Sequence, residues 1–282
     1  METPAERIML LRVPIDIVPP EELPEIINRL MPPLAGSEYV SPNLLSRSSY
    51  RPAAPGCSGA SDQGSLPATK GRDIILLSLW DLLRARRNNE YRNYVLNAAL
   101  VIPISKSLVS GAKFLTGKKV VRYMPFNFVI SLLTCLERQE YPLYLLGGKN
   151  RIMKKTERNI HSTFPRLKIV GRCGGPIRKQ DEPAIIEAIR KVSPSLLLAG
   201  KGIRGEELWI ARNGSRLNSG FRLWCSDLFD IFAEKKRRPS DLVFDRGLES
   251  LGFCMRNPLK FFRIFPYFRY KLLLLVYKIF KR

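Results

Sequence analysis

Between Pro142 and Trp209 three short apolar runs, Leu143–Leu146, Leu167–Val170 and Leu196–Ala199, alternate with helix-like segments. Each run is too short for a helix and is bounded by turn residues. Gly147 and Gly148 follow the first directly, Gly171 and Gly174 follow the second, and Gly200 and Gly202 follow the third. Strand, glycine turn and helix in repetition predict an α/β protein with a mostly parallel sheet and flanking helices. Ligands of such sheets bind off the carboxyl ends of the strands, where amides and helix N-termini face a phosphate. A phosphate- or nucleotide-shaped site is expected there.

The flanking sequence extends the pattern. Arg7–Val18 predicts a strand interrupted by Pro14, and Glu21–Met31 predicts a helix with Leu23, Ile26, Ile27 and Leu30 on one face. Glu38–Val40 is a short strand candidate. From Ser46 to Arg72 the chain turns rich in Ser, Pro, Gly and Ala, which predicts a mobile insertion without a core of its own. Ile74–Asn97 predicts a helix, Ala99–Ile102 a strand closed by Pro103, and Ile104–Leu115 and Phe126–Arg138 two more helices. Phe221–Cys225 is a last strand candidate. The expected division is 1–240 as an α/β body carrying the insertion 46–72, with 241–282 as a basic, membrane-associating helical appendage.

The formal charge of +22 predicts an anionic partner: nucleic acid, an acidic membrane face or a phosphorylated substrate. Five scattered cysteines without a CxxC pair suggest neither a disulfide framework nor a zinc site, and free thiols in a reducing cytoplasm are expected. The single histidine, His161, lies among polar neighbours and reads as a surface residue, which gives a Ser-His-Asp triad little support. The N-terminus lacks the basic region and apolar core of a signal peptide. No apolar run approaches the roughly 20 residues that span a bilayer.

Beyond Glu249 the chain has no acidic residue. Arg256, Lys260, Arg263, Arg269 and Lys271 are interspersed with aromatics and leucines, the composition of a segment lying in a lipid headgroup plane. An amphipathic helix packed on its own core with a solvated basic face is the alternative. Single-stranded nucleic acid also favours aromatics among basic residues, but no RRM, KH or zinc-finger motif is present, and nucleic acid is not the expected partner.

Several stretches, in order, resemble the WecG/TagA/CpsF bacterial glycosyltransferases. Val40-Ser41-Pro42-Asn43 is similar to the family's Thr-x-Asn turn, and Leu82–Pro103 to its helix and the strand before the active-site loop. Tyr144–Lys149 is similar to its glycine turn and Phe164–Gly171 to the strand that follows. Gly200-Lys201-Gly202 with Glu206–Ile210 resembles its Gly-x-Gly and Gln-Glu-x-Trp-Ile segment. Phe229-Asp230, Arg238-Pro239 and Gly247-Leu248-Glu249 resemble its C-terminal signature.

The resemblance implies a Rossmann-like, metal-independent, inverting enzyme that needs no cofactor. It would move an N-acetylmannosamine-type sugar from a UDP-sugar to a lipid-linked acceptor, in cell-surface polysaccharide synthesis, as a peripheral protein on the inner face of the cytoplasmic membrane. Homo-oligomerisation is left open. The implied ligand positions are Ser41 and Asn43 near the sugar, Arg122 near the diphosphate, Gly147, Gly148 and Lys149 along the nucleotide, and Gly202 and Glu206 in the same site. The family's Pro-Asp-Gly loop, whose aspartate is the proposed base, is Pro103-Ile104-Ser105 here. Asp230 and Glu207 are the remaining candidate carboxylates. A catalytically inactive relative that binds a nucleotide-sugar or lipid phosphate is the alternative.

Overall fold

The computed structural model describes residues 5–30, 72–247 and 265–280. The strand candidate Glu38–Val40, nearly all of the 46–72 insertion, and Ser41, Asn43, Arg256, Lys260 and Arg263 lie outside them.

The chain opens with two antiparallel strands, β1 (Glu6–Leu10) and β2 (Val13–Ile17), where the sequence predicts one. Leu11 and Arg12 both take positive φ, 50° and 69°, which gives the tight turn a hairpin needs without glycine or asparagine. Helix α1 (Leu23–Leu30) follows, burying Leu23, Ile26 and Ile27 on the expected face.

The next strand corrects the sequence reading. Asp73–Leu77 is β3, and the predicted long helix begins only after it as α2 (Leu79–Ala85) and α3 (Asn89–Leu96). Ser78 and Asp81 form a reciprocal capping box that fixes where helix replaces strand. Then come β4 (Leu100–Pro103), α4 (Lys106–Thr116), α5 (Pro125–Arg138), β5 (Leu143–Leu146), α6 (Asn150–Thr163) and β6 (Ile169–Cys173). The described chain continues with α7 (Glu182–Val192), β7 (Leu196–Ala199), α8 (Glu207–Asn213), β8 (Phe221–Trp224), α9 (Leu228–Phe232), α10 (Asp241–Arg246) and α11 (Phe265–Phe280).

Among the described residues six strands form one parallel sheet in the order β4-β3-β8-β7-β5-β6. Its central strands read as continuous apolar runs because both faces are covered. Ile74, Leu100, Ile102, Leu143, Leu145, Leu196, Leu198 and Leu223 pack toward α1, α5, α6 and α9. Ile75, Leu77 and Val101 point the other way, toward the hairpin, α2, α3, α4 and α11. Tyr144, Leu146, Leu197 and Ala199 do the same toward α7 and α8. Each fully buried Leu or Ile contributes about 1.5–3 kcal/mol, so the sheet is the stable frame from which its terminal turns project.

The hairpin covers the β4 edge. Asp16 is buried, accepts the Val101 amide at 2.7 Å, and is forked by Arg7 at 2.6 and 2.9 Å. An edge amide that would otherwise be open to another strand is thereby satisfied.

Helix α11 packs on α2 and α4. Tyr270 and Leu274 are buried, and Tyr270 Oη donates to the Ser107 carbonyl at 3.1 Å. A β-carbon at Gly111 would stand 2.0 Å from that hydroxyl, so glycine is what lets the tyrosine reach α4. No described helix is long and apolar enough to cross a membrane.

Candidate functional site

Neighbouring strands of a parallel sheet open a crevice where their following helices leave for opposite faces. Helix α2, after β3, packs on one face and α9, after the adjacent β8, on the other. Between their carboxyl ends lies a cavity of about 560 Å³, a size typical of small-molecule sites. Its walls come from Ser78, Trp80, Asp81 and Arg84 after β3, Ile104–Ser107 after β4, and Cys225–Leu228 after β8. Phe244 and Gly247 at α10 and Tyr267 of α11 also border it.

Charge in the cavity is mixed. Arg84, Lys106, Arg122 and Lys236 bring cationic groups, and Asp81, Glu206, Glu207 and Asp227 bring carboxyl groups. Glu207 is buried and ion-paired with Arg84. Burial raises its carboxyl above the ordinary range although Arg84 opposes the shift, and Asp81 and Glu206 add to it. Asp227 is also partly buried, but its hydrogen bond from Lys236 and the charges of Lys236 and Lys201 outweigh burial and hold it below that range. Asp81 goes the other way. Burial raises it against the hydrogen bonds from Ser78 and the charge of Arg84. Tyr94, in the same wall, has a buried hydroxyl with no partner among the described residues.

Arg122 is held in place by its neighbours. Its Nε donates to the Ile104 carbonyl at 2.9 Å, its Nη1 donates to the Phe244 carbonyl, and its guanidinium lies 3.7 Å from the centre of the Phe244 ring. It thus ties α10 to the turn after β4, at the edge of the cavity.

The glycine candidates gather elsewhere on the same rim. The Gly147 amide donates to the Cys173 carbonyl at 2.8 Å, the Gly148 amide to the Lys201 carbonyl, and the Gly175 amide to the Gly148 carbonyl at 2.5 Å. Gly147 has φ 96°, and a β-carbon there would lie 2.6 Å from the Gly200 carbonyl oxygen. The turns after β5, β6 and β7 therefore close on one another, and these amides are spent on neighbouring backbone. Gly147, Gly148, Lys149 and Gly202 do not line the cavity. The cluster touches its border through Ser226, whose carbonyl accepts the Lys201 amide at 3.1 Å, and through the 3.7 Å ion pair of Lys201 with Asp227.

Of the sequence candidates, Arg122, Glu206 and Glu207 border the cavity. Glu206 is exposed, with φ 53° just before α8. Asp230 lies in the first turn of α9 between the lining residues Leu228 and Ile231, and pairs with Lys235 at 3.4 Å. Ile104 lines the cavity with its aliphatic side chain. His161 is exposed, as expected, and Trp209 is buried in the core. Ser78 and Asp81 are cavity residues missed by the sequence reading, hidden in the stretch that predicts one long helix. The available signal was the Ser-x-x-Asp spacing after an apolar run.

The outer side of α11 is a further surface feature. Phe268, Leu272, Leu275 and Ile279 form a stripe at helical spacing, with Phe268 67% and Ile279 61% exposed. Tyr267, Tyr270, Leu274 and Tyr277 form the opposite, inward stripe. The helix is therefore apolar on two faces, with Lys271 exposed and Arg269 half-buried between them. Neither the solvated basic face nor a single amphipathic stripe describes it.

Among protein families, the Glycosyl transferase WecG/TagA/CpsF family model matches residues 63–282, well over half of the chain. The match begins after Ser41 and Asn43, so the Thr-x-Asn-like turn assigned there lies outside it. Within the match, the first strand of the parallel sheet is β3, and the N-cap Ser78 alone separates it from α2.

Proposed function

Since the chain belongs to the WecG/TagA/CpsF glycosyltransferase family, we propose that it transfers an N-acetylmannosamine-like sugar from a UDP-sugar to a polyprenyl-diphosphate-linked acceptor. It does so at the inner face of the cytoplasmic membrane, in building a cell-surface polysaccharide. The observation that carries this reading is the cavity between β3 and β8. It lies at the carboxyl ends of parallel strands, carries both cationic and carboxyl groups, and is bordered by Tyr267 of a helix whose outer face is apolar.

Each part has a chemical use. The donor's diphosphate takes on negative charge as the sugar leaves, and Arg122, Lys106 and Lys236 supply positive charge around the cavity. The acceptor hydroxyl must lose a proton, which calls for a carboxylate. The acceptor's lipid stays in the bilayer, so the enzyme must sit at that surface. The exposed stripe of α11 supports docking by apolar insertion, helped by the basic residues of the 241–282 appendage. In this reading residues 1–240 form the transferase body.

An inactive relative that only binds a nucleotide-sugar is the second reading. The aliphatic Ile104, where the resemblance implies the catalytic aspartate, favours it. The two separate in one assay: purified protein with UDP-N-acetylmannosamine and a prenyl-diphosphate N-acetylglucosamine acceptor, scored for UDP release. Acceptor-dependent UDP release is expected. UDP binding without release would leave the inactive relative, and neither binding nor release would remove both readings.

A further inference from the structure

We infer that Asp81 is the general base of this site, its Oδ1 taking the proton of the acceptor hydroxyl that attacks the donor sugar. This rests on the glycosyltransferase reading above and assigns its proton transfer to a residue.

Among the described residues four carboxyl groups border the cavity, and three are engaged or turned to solvent. Glu207 is ion-paired with Arg84. Asp227 is bonded to Lys236 and faces Lys201 at 3.7 Å. Glu206 is exposed at the turn before α8. Asp81 differs in its bonding. The Ser78 amide and hydroxyl donate to it at 2.9 and 2.5 Å, and both bonds fall on Oδ2. No hydrogen bond to Oδ1 occurs among the described residues. The carboxyl group is thus fixed through one oxygen and leaves the other for a ligand. A general base needs this combination of fixed orientation and an available lone pair. Burial adds to its proton affinity by raising Asp81 above the usual carboxylate range.

The position is suited to the role. Asp81 sits in the first turn of α2, at the carboxyl end of β3 and beside the crevice to β8. The turn after β4 is bonded to the end of β3 and the start of α2: the Ile104 amide donates to the Leu77 carbonyl at 2.9 Å, and Ser105 Oγ accepts the Leu79 amide at 3.1 Å. Ile104 brings no ionisable group to this corner, so the carboxyl function there comes from the first turn of α2.

The step balances. The acceptor O–H bond breaks as Asp81 Oδ1 gains the proton, and the acceptor oxygen bonds the anomeric carbon. The bond from that carbon to the diphosphate oxygen breaks, and UDP leaves with the electron pair. Asp81 then returns the proton to water.

The test uses the full chain, wild type and Asp81→Asn, with UDP-N-acetylmannosamine and the prenyl-diphosphate N-acetylglucosamine acceptor. Asparagine keeps an oxygen to accept from Ser78, and a cooperative thermal transition checks the fold. UDP affinity, measured by calorimetry, is expected to stay within about threefold of wild type, while kcat falls about 100-fold or more. Wild-type kcat is expected to rise with pH along a limb above the ordinary carboxylate range, and the residual activity of the variant to lack that limb. A loss below about tenfold, or a variant that keeps the limb, overturns the inference. Wild-type protein that binds UDP but transfers nothing overturns it too. Wild-type protein that does not bind UDP overturns the functional reading itself, so the two failures are distinguishable.

Discussion

Ser105 Oγ accepts a hydrogen bond from the Leu79 amide at 3.1 Å. Ser105 stands at the N-cap of its own helix, α4, yet makes no side-chain bond there. Its hydroxyl serves the first turn of the neighbouring helix, α2. The ends of β3 and β4 are thereby joined by a side chain as well as by the sheet. Replacing it with alanine leaves a buried amide short of a partner. Ser105→Ala is expected to cost about 1 kcal/mol, seen as a melting temperature lower by about 2–4 °C for a chain of this size. An unchanged melting curve would mean the bond contributes nothing.

At the other end of β3, Arg222 forks Asp73 at 2.8 and 3.0 Å, tying β3 to β8. Burial raises the Asp73 carboxyl, and Arg222 opposes the shift with its charge and hydrogen bonds. Arg222→Met leaves a buried carboxylate without its partner and is expected to destabilise by about 3–5 kcal/mol at neutral pH. The sign with pH follows from the raised folded-state value. A carboxyl group that holds its proton more tightly when folded favours folding below its ordinary value, and that contribution is lost as pH rises through the folded one. The deficit of the variant should therefore shrink as pH falls from neutral toward the ordinary carboxylate value. Urea titrations at several pH values measure it, and a deficit that grows with acid would contradict the assignment.

How far the sequence could reveal this arrangement depended on whether local pattern and tertiary context agreed. Leu143–Leu146 and Leu196–Ala199 are short, apolar and punctuated by glycine, so they are legible as parallel strands. Asp73–Leu77 is just as apolar but runs without glycine or proline into a leucine-rich helix, so periodicity reads it as the helix's first turns. Because β3 is hidden in this way, Ser78 and Asp81 are hidden with it. The hairpin is missed for a related reason: Leu11 and Arg12 hold positive φ without the glycine or asparagine that usually marks such a turn. Arg122, Glu206 and Glu207 are legible from the resemblance, whereas the mutual closure of the glycine turns depends on contacts between segments far apart in sequence.

The outward stripe of α11 carries a separate expectation. Phe268, Leu272 and Ile279 are well exposed, so replacing all three with serine should shift stability by roughly 0.5 kcal/mol or less per site. Burying such side chains in lipid contributes about 1.5–3 kcal/mol each. The triple variant should therefore lose most of its co-sedimentation with phosphatidylglycerol vesicles while its melting temperature stays close to wild type. Equal sedimentation of the two proteins would show that the stripe does not meet the membrane.

The central claim is that the crevice between β3 and β8 holds the nucleotide-sugar. A crystal structure of the full chain grown with UDP tests it most directly. The account predicts a nucleotide in the cavity bordered by Ser78–Asp81, Ser105, Arg122 and Asp227, with its diphosphate toward Arg122. UDP bound instead over the Gly147–Gly202 cluster, or a crevice that stays empty at saturating UDP, would contradict it.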